Sequence, residues 1–160
     1  MEITNTRWLT EKIFTTLKNR YDQLSWFLYP PVQNLKDIPL LVVVFSLSSF
    51  DITRNYSDGR QSADIIFSIH LIFKDSQMAH LNIRDAAFAI STFLHRNNLN
   101  HDQIGEIEIL SNEPDYFQPE VDGYLSWKIE FLVPFVCGES AYGFNAVSPE
   151  IKINSEVNHD

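Results

Sequence analysis

The sequence predicts an α+β domain in which a mostly antiparallel sheet of about four strands carries two helices on one face. Two segments, residues 6–24 and 82–96, repeat apolar residues at helical spacing, and four others alternate or run apolar as strands do. The elements follow the order helix, strand, strand, helix, strand, strand. We place the domain at residues 1–136 and expect the polar residues 137–160 to form a flexible extension or an assembly arm.

The first helix is expected over residues 6–24, with Thr6 or Thr10 as its N-cap. Pro30 and Pro31 end the pattern, because proline disfavours helix for itself and for the residue before it. The apolar stripe of this helix consists of Leu9, Ile13, Leu17, Tyr21 and Leu24.

A long hairpin follows the first helix. Its strands are predicted at about residues 39–50 and 61–73, where apolar side chains alternate or run continuously. Residues 55–59, with the sequence NYSDG, separate the strands and have the composition of a tight turn.

The second half of the chain adds a helix and another pair of strands. Asn82 is the expected N-cap of the second helix, and strand three is predicted at residues 103–110. Strand four, residues 124–135, has the most regular alternation in the chain. We expect its apolar face to meet both helices in one core that contains Leu125, Trp127, Ile129, Phe131 and Val133 together with Ile13, Leu17, Ile90 and Leu94.

The composition narrows the class of partner. The chain has 160 residues and a net charge of −9, with 12 basic against 21 acidic residues, so direct binding of nucleic acid or of an anionic membrane is not expected. There is a single cysteine, and the longest apolar stretch, residues 39–45, is too short to cross a bilayer. With no apolar run near the start, these features predict a cytoplasmic protein.

No catalytic, cofactor-binding or metal-binding motif is recognisable. Cys137 has no local signature of a thiol enzyme, and the histidines lack metal-ligand spacing. Phosphate-binding glycine motifs and the GxSxG elbow are absent from the sequence. Residues 97–127 contain seven acidic residues and neither Lys nor Arg. This stretch reads as a solvated acidic face, as a surface for a basic partner, or less directly as a calcium loop or a pair of glycosidase carboxylates.

The order of elements resembles the tail terminator, or tail completion, proteins of tailed bacteriophages, and most of all the minor tail proteins of Mu-like prophages. The resemblance covers residues 6–134 and is one of pattern, carried by WLTEKIFTTLKNRY, YPPVQNLKDIP, LLVVVF, ADIIFSIHLIF, IRDAAFAISTFLHR, IGEIEIL and YLSWKIEFLVPF. It implies a non-enzymatic subunit that forms a ring, expected to be a hexamer, on the tail tube and joins it to head or neck proteins. It also implies assembly in the bacterial cytoplasm, a place in the virion tail, and no cofactor.

Two charged regions are the candidate interfaces for such a ring. The basic region is the hairpin turn, and the acidic region lies between the second helix and strand four. The candidate residues are Arg54, Asn55, Asp58 and Arg60 in the turn, Asp102, Glu106, Glu108, Asp115 and Asp122 in the acidic region, and Lys128 and Glu130 on strand four. The alternatives are a subunit of a contractile injection machine, and a small enzyme or ligand-binding domain with a pocket between sheet and helices.

Overall fold

The computed structural model describes residues 5–29, 41–55, 57, 59–115 and 123–137. Its two helices and five-stranded sheet confirm the α+β class. The elements are α1 Thr6–Arg20, β1 Ser25–Leu28, β2 Leu41–Asn55, β3 Gln61–Lys74, α2 Ala79–Leu94, β4 Glu108–Pro114 and β5 Tyr124–Cys137. The predicted interface residues Asp58 and Asp122, and most of the predicted C-terminal extension, lie outside the described residues.

The sheet has the strand order β1-β2-β3-β5-β4. Strands β2, β3, β5 and β4 pair antiparallel in turn, whereas β1 pairs parallel with the start of β2. The predicted four-stranded sheet is therefore one strand short. The missing strand has only four residues, SWFL, too few to show an alternating pattern.

The sheet buries one face, here called the helix face, under both helices. On β3 the side chains at alternate positions from Ala63 to Phe73 are buried, and on β5 those from Ile129 to Phe135 are. They form one cluster with the apolar stripes of α1 and α2. The opposite face, here called the open face, carries no described helix. This arrangement confirms that both helices pack on one side.

The predicted core is confirmed in its centre and looser at its rim. Ile129, Phe131 and Val133 are fully buried in the same cluster as the predicted helix residues, while Leu125 and Trp127 are partly buried against it. The rings of Phe45, Phe67 and Phe131 stack across three neighbouring strands, with centroids 5.2 and 5.6 Å apart. These rings fill the layer between sheet and helices.

Both helix starts differ from the prediction. The side chain of Asn5 caps α1 by accepting a hydrogen bond from the Trp8 amide at 2.9 Å, so neither Thr6 nor Thr10 is the cap. Helix α2 begins at Ala79, and the amide of Asn82 already donates to the Met78 carbonyl within the helix. Asn82 is therefore not an N-cap.

Strand β4 lies later in the chain than predicted, at 108–114 rather than 103–110. Ile104 and Ile107 are buried in the loop before it, where Ile104 forms an isolated bridge with Phe135. The Ile107 amide donates to Asn97, and the Ile107 carbonyl accepts from Arg96. These backbone bonds hold the loop in place with its isoleucines buried. The apolar pattern of the loop therefore resembles that of a strand in the sequence.

Candidate functional site

Half of β2 forms an edge of the sheet. Strand β1 pairs only with Val42–Phe45, and every residue of Ser48–Asn55 is exposed. Within the described part of the chain, no strand pairs with this outer side of Ser48–Asn55, which we call the free edge. Phe50 and Ile52, whose side chains lie on the helix face, are 56% and 57% exposed. An edge that offers both backbone groups and apolar side chains is suited to receive another strand.

The direction of the backbone groups along the free edge follows from the ladder. The carbonyl of Phe45 accepts the Tyr29 amide on the side away from β3. Residues that face away from β3 alternate with residues that bond to it. Phe45, Phe50 and Ile52 are opposite Ile69, Ile65 and Ala63, which are separated by even numbers of residues on β3. Phe50 and Ile52, which follow the bulge between Leu47 and Ser49, therefore have the same outward direction as Phe45. Both residues therefore present their amide and carbonyl groups at the edge.

Two carboxylates lie side by side on the open face behind this edge. Asp51 on β2 is directly opposite Asp64 on β3. Like charges at opposed positions destabilise a sheet unless a cation offsets them. Neither carboxylate has a cationic partner among the residues that the structure describes. The free edge therefore combines apolar side chains on its helix face with uncompensated negative charge on its open face.

The predicted basic turn lies at the end of the hairpin. Arg54 and Asn55 are exposed, Arg60 is half-buried, and both arginines already interact with other groups of the chain. The turn thus places two cationic residues at the tip of the free edge.

The predicted acidic region lies on the other side of the sheet. Asp102, Glu106 and Glu108 are exposed, in the loop before β4 and at the start of that strand. Asp115 does not belong to this surface, because its side chain is only 7% exposed and lies against β3 and β5. The prediction of an exposed acidic Asp115 is corrected accordingly.

Asp115 instead joins a polar cluster on the open face. Its Oδ2 lies 2.7 Å from Nδ1 of His70 and accepts a hydrogen bond from Ser126 Oγ at 3.3 Å. Because a carboxylate can only accept, this contact assigns a ring proton to Nδ1. The pair orients an imidazole, but a catalytic site would also need a nucleophile and a substrate pocket. Residues 45 positions apart gave no sequence signal for this contact.

Lys128 and Glu130 lie beside that cluster on β5. Lys128 Nζ is 2.8 Å from Glu130 Oε1, and both side chains are less than one-third exposed. The hydrogen bond to Glu130 raises the pKa of Lys128 above its usual 10.5, and the charges of Glu130, Glu113 and Asp115 act in the same direction against partial desolvation. These two predicted interface residues therefore already neutralise each other within one chain.

The β4 edge differs in chemistry from the free edge of β2. Pro114 has no amide proton, and a bulge between Ile109 and Ser111 interrupts the ladder. Glu108 and Glu113 add charge along the strand. Proline, bulges and charged side chains are the devices by which proteins keep an edge from pairing.

One hollow among the described residues lies on the outer surface of α1. It has a volume of about 310 Å³ and is lined by Trp8, Glu11, Lys12, Thr15 and Thr16. It therefore does not correspond to the pocket between sheet and helices that a ligand-binding domain would need. Within the described ranges, no group of three or more His, Cys, Asp or Glu side chains could hold a metal ion.

No protein-family model matches the chain, and no curated protein matches it. Among the described residues, no helix has the length and apolar character to cross a membrane.

Proposed function

We propose that this chain is a structural subunit that associates head-to-tail into a ring, in the role of a phage tail terminator that caps the tail tube and offers a joining surface to the head or neck. The observation that carries the proposal is the unlike character of the two sides of the sheet. One side has the exposed free edge of β2, and the other has the blunted, acidic edge of β4.

Unlike surfaces on opposite sides are what a ring requires. A two-fold dimer uses the same patch on both copies, whereas a ring joins one patch to a different patch on the next copy. The order β1-β2-β3-β5-β4 puts three strand spacings between the free edge and the β4 edge, or roughly 14 Å. One surface therefore remains available when the other is occupied.

Charge at the hairpin tip, away from the carboxylates of Asp51 and Asp64, supports the same orientation. Arg54 and Arg60 lie on the β2 side, and Asp102, Glu106 and Glu108 on the β4 side. Opposite charges on facing surfaces steer association and fix its direction. Each exposed pair contributes at most about 1 kcal/mol, so apolar and backbone contacts must supply most of the binding free energy.

The proposal is tested by the mass of the assembled species. We expect light scattering and native mass spectrometry to detect a discrete ring whose population rises with protein concentration, and electron microscopy to detect it on isolated tail tubes. A chain that stays monomeric at high concentration, and also in the presence of tail tubes, would contradict the proposal.

The charged turn offers a matched pair of variants. Arg54→Glu with Arg60→Glu should slow assembly at low salt, and the difference from the parent should shrink at high salt as the repulsion is screened. Lys74→Glu with Arg84→Glu makes the same change in net charge at exposed positions away from the hairpin turn, and should assemble like the parent. Thermal melting checks that both double variants fold. Equal assembly rates for the two would remove the electrostatic part of the proposal.

A further inference from the structure

We propose that the free edge of β2 receives residues 150–154 of a neighbouring copy as an added antiparallel strand. The inference rests on the proposed function, because it names the segment that links one subunit to the next. Its basis is the match between the chemistry of the free edge and the sequence EIKIN at residues 150–154.

The alternation of the two segments is complementary. Phe50 and Ile52 lie on the helix face, with Asp51 between them on the open face. In the segment, Ile151 and Ile153 alternate with Lys152. Side chains at successive positions of a strand point to opposite faces. An added strand therefore sets both isoleucines beside the exposed apolar pair and the lysine beside the aspartate.

The register follows from the backbone directions. Phe50 and Ile52 offer their amide and carbonyl groups outward, so they form the hydrogen-bonded pairs with the added strand. Ile151 then lies opposite Ile52, Ile153 opposite Phe50, and Lys152 opposite Asp51. Irregularities in the β2 ladder at Leu47/Ser49 and Ile52/Arg54 bracket this stretch and limit the added strand to a few residues.

The uncompensated carboxylates explain why the central residue should be basic. Asp51 and Asp64 are directly opposed, and a third strand places its own side chain next to Asp51 on the open face. A second copy of β2 paired in the same way would bring Asp51 against Asp51 and add to the repulsion. A lysine at that position offsets the charge instead.

The arm has the length to reach another subunit. Strand β5 ends at Cys137, level with Gln61 at the hairpin end of the sheet. Residues 138–149 provide 12 residues before the proposed strand, and an extended chain of that length spans up to about 40 Å. Since a head-to-tail ring needs a contact between copies, we assign the arm to the free edge of the neighbour.

Disulfide trapping tests the contact directly. In a Cys137→Ser background, one preparation carries Asp51→Cys and a second carries Lys152→Cys. Asp51 and Lys152 would form a non-hydrogen-bonded antiparallel pair, whose Cα separation of about 4.5 Å falls within disulfide geometry. We expect the mixture to yield a cross-linked dimer on a non-reducing gel after mild oxidation. Replacing Lys152→Cys by Ile153→Cys, which points to the other face, should abolish it.

A double variant identifies the source of the strand. A chain with both Asp51→Cys and Lys152→Cys should give a ladder of linked subunits. An intrachain bond in the double variant, with no dimer in the mixture, would overturn the assignment to a neighbour. No bond in either experiment would overturn the added strand altogether.

Truncation and charge exchange test the contact of residues 150–154 separately from the formation of the ring. A chain ending at residue 149 should need a roughly tenfold higher concentration to assemble, a shift of 1.4 kcal/mol in binding free energy. Lys152→Asp should weaken assembly, and Asp51→Lys in the same chain should restore it. If the truncated chain assembles like the parent, the proposed contact of residues 150–154 is wrong, while the proposed ring is unaffected. If the parent is monomeric at every concentration, the ring and the arm both fall.

Discussion

The two edges of the sheet differ in whether their outward backbone groups are available to pair with another strand. At the β4 edge, Pro114 lacks an amide, a bulge follows Ile109, and the strand is seven residues long. At the free edge of β2, eight consecutive exposed residues include Phe50 and Ile52, which present both apolar side chains and outward backbone groups. One edge resists pairing and the other is suited to it.

The contrast separates stability from assembly within one sheet. The β4 edge is tied to the helices through Asn112, which donates to Ser91 Oγ on α2 and accepts from the indole of Trp127. On the free edge, by contrast, the side chains of Phe50 and Ile52 are more than half exposed. A change at Asn112 should therefore act on folding, and a change at the free edge on association.

Two adjacent proline substitutions give the largest expected effect. The Asp51 amide faces β3, so Asp51→Pro removes a ladder bond and leaves its acceptor unpaired, which should destabilise the fold by about 1–3 kcal/mol. Ile52→Pro removes an amide that faces outward and should cost much less stability, while it weakens assembly. Chemical denaturation measures the first difference and light scattering the second. Equal losses of stability would show that the assigned directions of the Asp51 and Ile52 amides are wrong.

Asn112→Ala probes the other edge. It leaves Ser91 Oγ and the partly buried Trp127 indole without their partner, and the loss of these hydrogen bonds should cost about 1 kcal/mol. We expect a lower denaturant midpoint with no change in the concentration dependence of assembly. Asn112→Asp, which keeps an acceptor for the indole, should recover part of the loss. An assembly defect without a stability defect would place the side chain of Asn112 itself in the subunit contact.

The smallest expected effect concerns Lys128 and Glu130. Because the folded-state pKa of Lys128 is raised above 10.5, its contribution to stability is present below the unfolded-state pKa and is lost as the pH rises through the folded-state pKa. The free energy difference between the parent and Glu130→Gln should therefore shrink between pH 9 and pH 12, by less than about 1 kcal/mol. Urea melts across that range measure it. A difference that stays constant would mean that the pair adds nothing to stability.

The sequence predicted the parts of the fold whose signal is local. The alternation of β3 and β5 and the stripes of α1 and α2 set the class and the buried face. Strand β1 was missed because four residues show no period, and its stability depends on pairing with β2. Strand β4 was displaced because SNEP has turn composition, while the buried isoleucines before it belong to a loop. The period of a strand does not specify its partner.

For the candidate site, the sequence predicted which charged residues are exposed better than it predicted which residues lie next to each other. Exposed charges at the hairpin turn and before β4 were found from the sequence, since charge runs are local. The burial of Asp115 against His70 depends on strands far apart in the chain, and so does the opposition of Asp51 and Asp64. The free edge itself became visible only when the length of β1 was known.

Strand β3 has a consequence for the time scale on which this sheet opens. It is paired with β2 from Gln61 to Phe73 and with β5 from Gln61 to Lys74. Its amides can exchange with solvent only when one of those ladders separates, so deuterium uptake should be slowest there. The outward amides of Phe50 and Ile52 need no such opening and should exchange within the earliest labelling times. A neighbour that occupies the edge would slow hydrogen exchange at those two amides selectively. Their exchange rate would then report how often a neighbouring subunit leaves the edge.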